Sequence, residues 1–221
     1  TDAPLPTGAL RLTTGADNAD KAEVGISDSF GTFGDFLDIG GLAYSFFKSS
    51  AGDLNAFAAA AIKIAIFDFN TNQSDAFTTF VFEPTWNQPG NENISQPVPT
   101  DQWLDEEITP FDGLFWHTGL YGQPSQAGGG AGAQKTLADW ATFFGDDILD
   151  ATIALISVGV GSFNQGQTAY VDNVRIAAGE VEEFYDFEAP IQVPEPASLT
   201  FMVAGLLGVV ALGRIRRRTV A

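Results

Sequence analysis

The chain has 221 residues, no cysteine and a formal net charge of −18, and residues 1–213 alone carry 28 acidic and 6 basic groups, a net charge of −22. The missing cysteines exclude a disulfide framework and thiol chemistry, while the acidic balance argues against a nucleic-acid partner and attracts divalent cations. Hydrophobic residues make up 45% of the sequence, which is enough for the core of one domain of about 190 residues.

Period-two patterns of β-branched and aromatic residues, separated by clusters of Gly, Pro, Asn and Asp, predict eight or more strands. The predicted strands are Leu10–Leu12, Lys21–Ser27, Leu42–Phe47, Ile62–Phe69, Phe77–Glu83, Trp103–Thr109, Thr152–Val160 and Thr168–Ala177. The run Thr152–Val160 is apolar on both faces, which favours an interior position in a sheet. Many short strands in one domain predict an all-β fold, a two-sheet antiparallel jelly-roll sandwich.

The turn after the fourth predicted strand has some features of a calcium-binding loop. Asp68, Asn70 and Asn72 match the first three oxygen positions of such a loop. Gln73, however, stands in place of the required glycine, and Thr79 stands where a bidentate glutamate is needed. We therefore interpret the segment as a hairpin turn.

Three aromatic residues are candidates for glycan contact because they lie in or beside two long polar loops, at 84–101 and 110–134. They are Trp86, Trp116 and Tyr121. Aromatic rings offer apolar platforms to ligands whose orientation is set by surrounding polar groups. The alternative for each ring is burial in the core or under a loop.

The sequence gives little support for catalysis. The single histidine, His117, has no serine or cysteine nucleophile motif around it, and neither G-x-S-x-G nor H-E-x-x-H occurs. Asp105 and Glu107 share one side of a predicted strand, which is a weak signal for the paired carboxylates of a glycoside hydrolase. We predict that the protein is not an enzyme.

One short helix interrupts the strand pattern. Thr136 is suited to cap it, with Asp139 three residues later, and apolar residues at helical spacing run from Leu137 to Phe144. Gly145 provides the stop. We expect this helix at a sheet edge or an end of the sandwich, with Trp140 in the core.

The last predicted strand carries a carboxylate among apolar neighbours. Strict alternation places Tyr170, Asp172, Val174 and Ile176 on one face, where an unpaired charge is costly. A cation could satisfy Asp172. Alternatively, its carboxylate accepts hydrogen bonds from backbone N–H groups, or a bulge turns it outward.

The segment from Val158 through Asp172-Asn173-Val174 resembles the last hairpin of carbohydrate-binding-module-like and lectin-like jelly rolls. The resemblance implies a structural Ca²⁺ with Asp172 as an oxygen ligand, joined by Asp186 or Glu188.

The last 28 residues combine a Pro-Glu-Pro triplet, an uncharged apolar run and a basic tail. They are Pro194, Glu195 and Pro196, then residues 197–213, then residues 214–221 with Arg214, Arg216, Arg217 and Arg218. As a helix the run is about 26 Å long, close to the thickness of a hydrocarbon core. Because basic flanks stay cytoplasmic, we expect the preceding chain on the far side of the membrane.

This order of triplet, short span and arginine cluster resembles the PEP-CTERM sorting signal of bacteria that export polysaccharide. In that family a membrane-embedded exosortase recognises the signal and cuts near the triplet. The resemblance implies that Pro194, Glu195 and Pro196 form the processing motif and that the helix is removed. The alternative is a permanent tail anchor. We also expect an N-terminal secretion signal in the primary product, because a C-terminal signal of this type needs one.

The sequence thus predicts an exported β-sandwich domain at 1–188, a linker with the sorting motif at 189–196, a transmembrane helix at 197–213 and a cytoplasmic basic tail at 214–221. We expect a membrane-anchored form that moves to the cell surface or extracellular matrix after processing. The expected partners are an exosortase and exopolysaccharide, the latter bound by a non-catalytic module. The alternatives are a polysaccharide-processing hydrolase on the same sandwich and a purely structural surface protein.

Overall fold

The computed structural model describes residues 8–71, 75–90, 93–126, 133–178 and 181–187. Within these ranges it contains ten strands, two α-helices and two short 3-10 helices, at Pro84–Trp86 and Asp146–Asp150. The strands are β1 (Leu10–Thr13), β2 (Ala22–Ile26), β3 (Gly41–Lys48), β4 (Ala61–Phe67), β5 (Phe77–Phe82), β6 (Trp103–Ile108), β7 (Phe115–His117), β8 (Thr152–Val160), β9 (Thr168–Ala178) and β10 (Val181–Tyr185). The helices are α1 (Phe33–Ile39) and α2 (Leu137–Phe144).

The strands form two antiparallel sheets, which confirms the all-β, two-sheet prediction. Sheet A has the order β1-β9-β3-β6, and β10 also pairs with β9. Sheet B has the order β2-β8-β4-β5-β7. Strand β8 therefore lies between two neighbours, as its apolar pattern predicted, because a strand covered on both edges and both faces has few positions open to water.

The core lies between the two sheets and follows the alternation of side chains along each strand. Alternate residues of β3, including Tyr44 and Phe46, are buried, as are Ile62, Ile64 and Ile66 of β4, and all of them belong to one apolar cluster. Full burial of each such apolar side chain stabilises the fold by about 1.5–3 kcal/mol. The residues between them point to the two outer faces of the sandwich, where Ser45, Phe47 and Ala65 are nevertheless also buried.

The predicted helix forms as α2. The Thr136 hydroxyl accepts a hydrogen bond from the Asp139 N–H at 3.1 Å, and Gly145 ends the helix with φ 83°, a conformation that favours glycine. Trp140 is fully buried, and its indole N–H donates to the Phe115 carbonyl at 2.8 Å. The helix thus lies against β7, the edge strand of sheet B, and the prediction of Trp140 as a core residue is confirmed.

The prediction of a single helix is wrong, because α1 forms as well. Thr32 and Asp35 cap it reciprocally: the Asp35 N–H donates to the Thr32 hydroxyl, and the Asp35 carboxylate accepts from the Thr32 N–H. Phe33 stacks on Phe80 of β5, with ring centroids 5.3 Å apart. A helix of two turns is too short to give a clear periodicity and depends on such tertiary contacts.

Two strands, β7 and β10, were not predicted. Strand β7 has three residues and lies inside a segment interpreted as a loop, and β10 pairs along the end of β9. Their backbone hydrogen bonds come from partner strands rather than from local pattern.

Among the described residues no helix is both long and apolar enough to cross a membrane. The predicted transmembrane helix at 197–213, the linker at 189–196 and the basic tail lie outside the described residues.

Candidate ligand-binding surfaces

Two of the three predicted glycan-contact residues meet at one carboxylate on the outer side of sheet B. Trp116 lies in β7, and Trp86 ends the 3-10 helix that follows β5. Glu83 Oε2 accepts a hydrogen bond from Trp116 Nε1 at 2.8 Å, and the Trp86 side chain also donates to this carboxylate. We call these three residues the Trp86–Glu83–Trp116 cluster. Sequence reasoning missed Glu83, because its position beside Trp116 depends on the pairing of β5 with β7.

Hydrogen bonds to the Glu83 carboxylate hold both indole rings of the cluster in place. Burial raises the pKa of Glu83, and the hydrogen bonds from Trp116 and Trp86 and the nearby charge of Lys63 offset only part of that rise. Both half-buried indoles are tied to the carboxylate through their polar edge, so their orientation is set before any ligand arrives. A platform that is already ordered loses little side-chain entropy on binding.

Paired charges lie beside this cluster. Lys63 is the cross-strand partner of Val81, which in turn pairs with Trp116. Its ammonium forms an ion pair with Glu23 at 2.5 Å, and Glu23 also accepts a hydrogen bond from the Ser157 hydroxyl. Lys63, the basic side chain in this line of paired residues from β4 to β7, is therefore already neutralised by a protein carboxylate.

Tyr121, the third predicted glycan contact, has different partners. Its hydroxyl donates to Asp68 Oδ2 at 2.7 Å, and its ring packs edge to face on Phe144 at 5.9 Å. Asp68 Oδ1 accepts from the Asn70 N–H at 2.8 Å at the start of the β4–β5 connection. Because β4 and β5 pair directly, the hairpin interpretation of this turn is confirmed.

The outer face of sheet A carries two parallel rows of side chains, each crossing β6, β3 and β9. The first, which we call the aromatic row, is Trp103, Phe47 and Tyr170, and the second, the polar row, is Asp105, Ser45 and Asp172. In the aromatic row the central ring of Phe47 lies 5.8 Å from the ring of Trp103 and 5.9 Å from that of Tyr170. Neither row could be read from the sequence, because each requires the register of three strands.

The prediction that Asp172 shares a face with Val174 and Ile176 is wrong. Asn173 has φ 53°, and the register between β9 and β3 shifts at this point. Val171 before the bulge and Val174 after it both face the core, whereas Asp172 faces outward. Of the interpretations offered for this carboxylate, the structure has both the bulge that turns it away from the core and a hydrogen bond from a backbone N–H, that of Asn173.

Asp172 is nevertheless fully buried beneath its neighbours on the outer face. Its Oδ1 accepts from the Asn173 N–H at 2.8 Å, and its Oδ2 has no hydrogen-bond partner among the described residues. The Ser45 hydroxyl cannot serve, because it donates its proton to Asp105 Oδ1 at 2.6 Å. An unsatisfied buried acceptor of this kind costs about 1–3 kcal/mol.

The other predicted calcium ligands are only partly placed. Asp186 directly follows β10, whose last residue Tyr185 pairs with Val174, so the chain brings it toward the Asn173 bulge. Glu188 lies outside the described residues. Within the described ranges no group of three or more histidine or carboxylate side chains is assembled for a metal ion.

His117 belongs to the interior. Its ring packs edge to face against Trp140 at 4.7 Å and Phe144 at 5.2 Å. The Gly119 N–H donates to its Nδ1 at 3.0 Å, so the ring is neutral with its proton on Nε2, and burial lowers the pKa of His117. Asp105 and Glu107 lie on the same outer side of β6, as predicted, opposite Ser45 and Ala43.

No protein-family model matches this chain, and no curated protein matches it by sequence.

Proposed function

We propose that the protein is an exported, exosortase-sorted surface or extracellular-matrix protein, and that its sandwich is a non-catalytic module that associates with exopolysaccharide. The convergence of Trp86 and Trp116 on Glu83 is the observation that carries the ligand-binding part. The export and sorting part is supported by the order of Pro194, Glu195 and Pro196, the apolar run and the arginines in the sequence.

The chemistry of the cluster suits a neutral, hydroxyl-rich ligand. An ionised carboxylate has about four acceptor sites, and the two indole donors leave some of those on Glu83 for sugar hydroxyls. The fixed indole faces suit the apolar C–H faces of sugar rings. A net charge of −22 over residues 1–213 repels polyanionic chains, so a neutral polysaccharide is favoured.

The finer assignment of the fold as a jelly roll belongs to the same proposal. Strands β1, β3, β6 and β9 lie in one sheet and β2, β4, β5, β7 and β8 in the other, so the chain passes repeatedly from sheet to sheet. Such alternation is typical of jelly rolls.

The test is retention of the purified full chain on insoluble exopolysaccharide from the producing cells. In Trp116→Ala and in Trp86→Ala we expect retention to fall about tenfold, as for truncated aromatic anchors elsewhere. Phe69→Ala is the matched control, since Phe69 is 72% exposed and lies outside the cluster. Thermal unfolding verifies that each variant is folded. Unchanged retention in both tryptophan variants would contradict the proposal, and release of reducing sugar by the wild type would favour the hydrolase alternative.

A separate observation favours a structural Ca²⁺, namely the buried and unpartnered Oδ2 of Asp172. We propose that this oxygen, the Ser45 hydroxyl oxygen and the Asp105 carboxylate contribute to an oxygen-rich cation site. Millimolar Ca²⁺ should then raise the melting temperature of the wild type and leave Asp172→Asn unchanged. Asp38→Asn, at an exposed position on α1, removes the same charge and should keep the calcium response. An equal calcium response in Asp172→Asn removes Asp172 from the site.

A further inference from the structure

Three exposed apolar side chains lie together at one end of the sandwich. Leu54 and Phe57, in the connection between β3 and β4, are 78% and 44% exposed, and Phe163, in the connection between β8 and β9, is 63% exposed. The two connections meet here, because Asn55 Nδ2 donates a hydrogen bond to the Phe163 backbone carbonyl at 3.1 Å. We call Leu54, Phe57 and Phe163 the apolar tip. Exposed apolar side chains that cluster in this way mark an interaction surface.

The backbone that carries the tip is ordered by contacts among three connections. The buried Lys48 ammonium forms an ion pair with Asp53 at 2.9 Å and donates to the Asn55 carbonyl at 2.7 Å. The Phe163 N–H donates at 2.9 Å to the carbonyl of Asn18, in the connection between β1 and β2. Phe163 itself has φ 66°, a left-handed conformation that is uncommon for a bulky side chain. Strained residues of this kind concentrate at functional sites.

The size and composition of the tip argue against a protein or a glycan as its partner. Three such side chains expose about 400 Å² at most, whereas a stable interface with a second copy of the chain buries about 800 Å² on each partner. A glycan site needs polar side chains that orient sugar hydroxyls, and the tip side chains have no polar atoms. A lipid bilayer requires neither, because it accepts small apolar groups at its interface.

The charges beside the tip indicate which lipids suit it. Asp17 directly precedes Asn18, which binds the Phe163 backbone. Asp101 Oδ1 accepts a hydrogen bond at 3.0 Å from the Ser50 N–H, two residues after the end of β3. Both carboxylates belong to exposed residues. They disfavour anionic headgroups, as does the acidic charge of the whole domain, so a zwitterionic surface is favoured.

The path of the chain is a second observation that points to a membrane. Strand β10 pairs antiparallel with β9 and ends at Tyr185, opposite Val174. The chain therefore leaves sheet A while running towards Thr168, where β9 begins, and the tip lies at this same end. Val174 and Thr168 are about 20 Å apart along the strand, and the nine residues 188–196 reach about 30 Å when extended. The linker is thus long enough for the tip to contact a bilayer that holds residues 197–213.

We propose that the apolar tip inserts into the interface of the zwitterionic bilayer to which residues 197–213 anchor the chain. This inference rests on the membrane-anchored form of the proposed function. The anchor keeps the tip close to the bilayer at a high effective concentration, so three side chains suffice for a contact that is weak in a free protein. The contact holds the sandwich in one orientation while the chain is anchored, and it is lost when processing removes the helix.

The experiment uses an environment-sensitive fluorescent dye on a single introduced cysteine, since the chain has no cysteine of its own. Ala56→Cys places the dye between Leu54 and Phe57 and leaves all three tip side chains intact. Ser29→Cys is the matched control, because Ser29 is exposed and follows Ile26, at the end of β2 that is far from the tip.

Each protein is added at full length to preformed phosphatidylcholine vesicles that contain a lipid with a nitroxide quencher on its acyl chain. The dye at position 56 should be quenched about fivefold more than the dye at position 29, because only the tip enters the lipid interface. Leu54→Ser/Phe57→Ser/Phe163→Ser should abolish the difference. Thermal unfolding verifies that the variants are folded, and Leu54→Ser/Phe163→Ser, at the two most exposed positions, replaces the triple variant if that one does not fold.

Flotation with the vesicles measures anchoring separately from the contact of the tip. If the chain floats but the two dyes are quenched equally, the tip does not enter the bilayer and the inference alone is overturned. A difference that persists in the serine variant also overturns it, as does a dye at position 56 that shifts to shorter wavelength without lipid quenching, which would indicate a second copy on the tip. A chain that does not float contradicts the anchored form itself, and the inference then fails with the proposed function.

Discussion

Trp116 and His117 are neighbours in β7, yet they belong to regions with opposite roles. His117 points inward to a cluster with Trp140 and Phe144, where the Trp140 indole N–H donates to the Phe115 backbone carbonyl. Trp116 points outward, and its indole N–H donates to the Glu83 carboxylate. The interior tryptophan is held by a backbone group that cannot change its charge, whereas the exterior one depends on an ionisable side chain. On the inner side of β7, the Trp140 ring is therefore held by burial and a hydrogen bond to a backbone carbonyl. On the outer side, the Trp116 ring is held by a hydrogen bond to an ionisable carboxylate.

The largest expected effect is a loss of stability from a substitution in the interior region. Trp140→Ala removes a fully buried ring and should lower the free energy of unfolding by about 3–5 kcal/mol, measured by urea titration. Retention on exopolysaccharide per folded molecule should stay unchanged, because the ring contributes to the core and not to the outer face. A folded Trp140→Ala protein without retention would show that the two regions are coupled.

A second prediction compares two carboxyl groups with raised pKa values. Glu83 has two indole donors, whereas Glu106, on the inward side of β6 opposite Tyr44, does not. Burial and the nearby charge of Asp105 raise the pKa of Glu106 to about 7. The folded state therefore holds this proton more tightly than the unfolded state, so the wild type loses stability as the pH rises from about 4.5 to about 7.

Glu106→Gln removes this titration. We expect the variant to be more stable than the wild type at pH 8 by up to about 3 kcal/mol, from the size of the shift, and the difference to vanish near pH 4.5. Unfolding in urea at a series of pH values measures it. A difference that does not grow between pH 5 and pH 7 would show that Glu106 ionises normally in the folded protein.

The smallest expected effect comes from a substitution in the exterior region and tests the hydrogen bond between Trp116 and Glu83. Trp116→Phe keeps a smaller aromatic ring and removes the N–H that donates to Glu83, so loss of this hydrogen bond should lower the free energy of unfolding by about 1 kcal/mol. The pKa of Glu83 should rise further, because one of the hydrogen bonds that lower it is lost; NMR titration of the carboxyl carbon detects this. Trp103→Phe is the matched control, since it makes the same change in ring size while Trp103 Nε1 has no partner among the described residues; it should show only the smaller loss that comes from the reduced ring. Equal losses in both variants would mean that ring size, not the hydrogen bond, sets the effect.

The secondary structure was largely predictable from local pattern, and the sites were not. All eight predicted strands form, and the Thr136 cap and the Gly145 stop bound α2 as expected. The sequence named Trp86 and Trp116 as candidates, but it did not indicate that both side chains meet at Glu83. A side chain's partners across a sheet depend on register, and register is set by residues tens of positions away.

The sequence by itself determined the strand pattern, the cap and end of α2 and the strongly acidic charge, because each depends on residue types and on neighbours within a few positions. Only the tertiary structure decided which side of each strand faces outward where the pattern breaks. The bulge at Asn173 reverses the alternation of β9 and turns Asp172 away from the core, and the pairing of β5 with β7 brings Glu83 to Trp116. Both outcomes arise from contacts between distant segments, which form only when the two sheets close on their shared core.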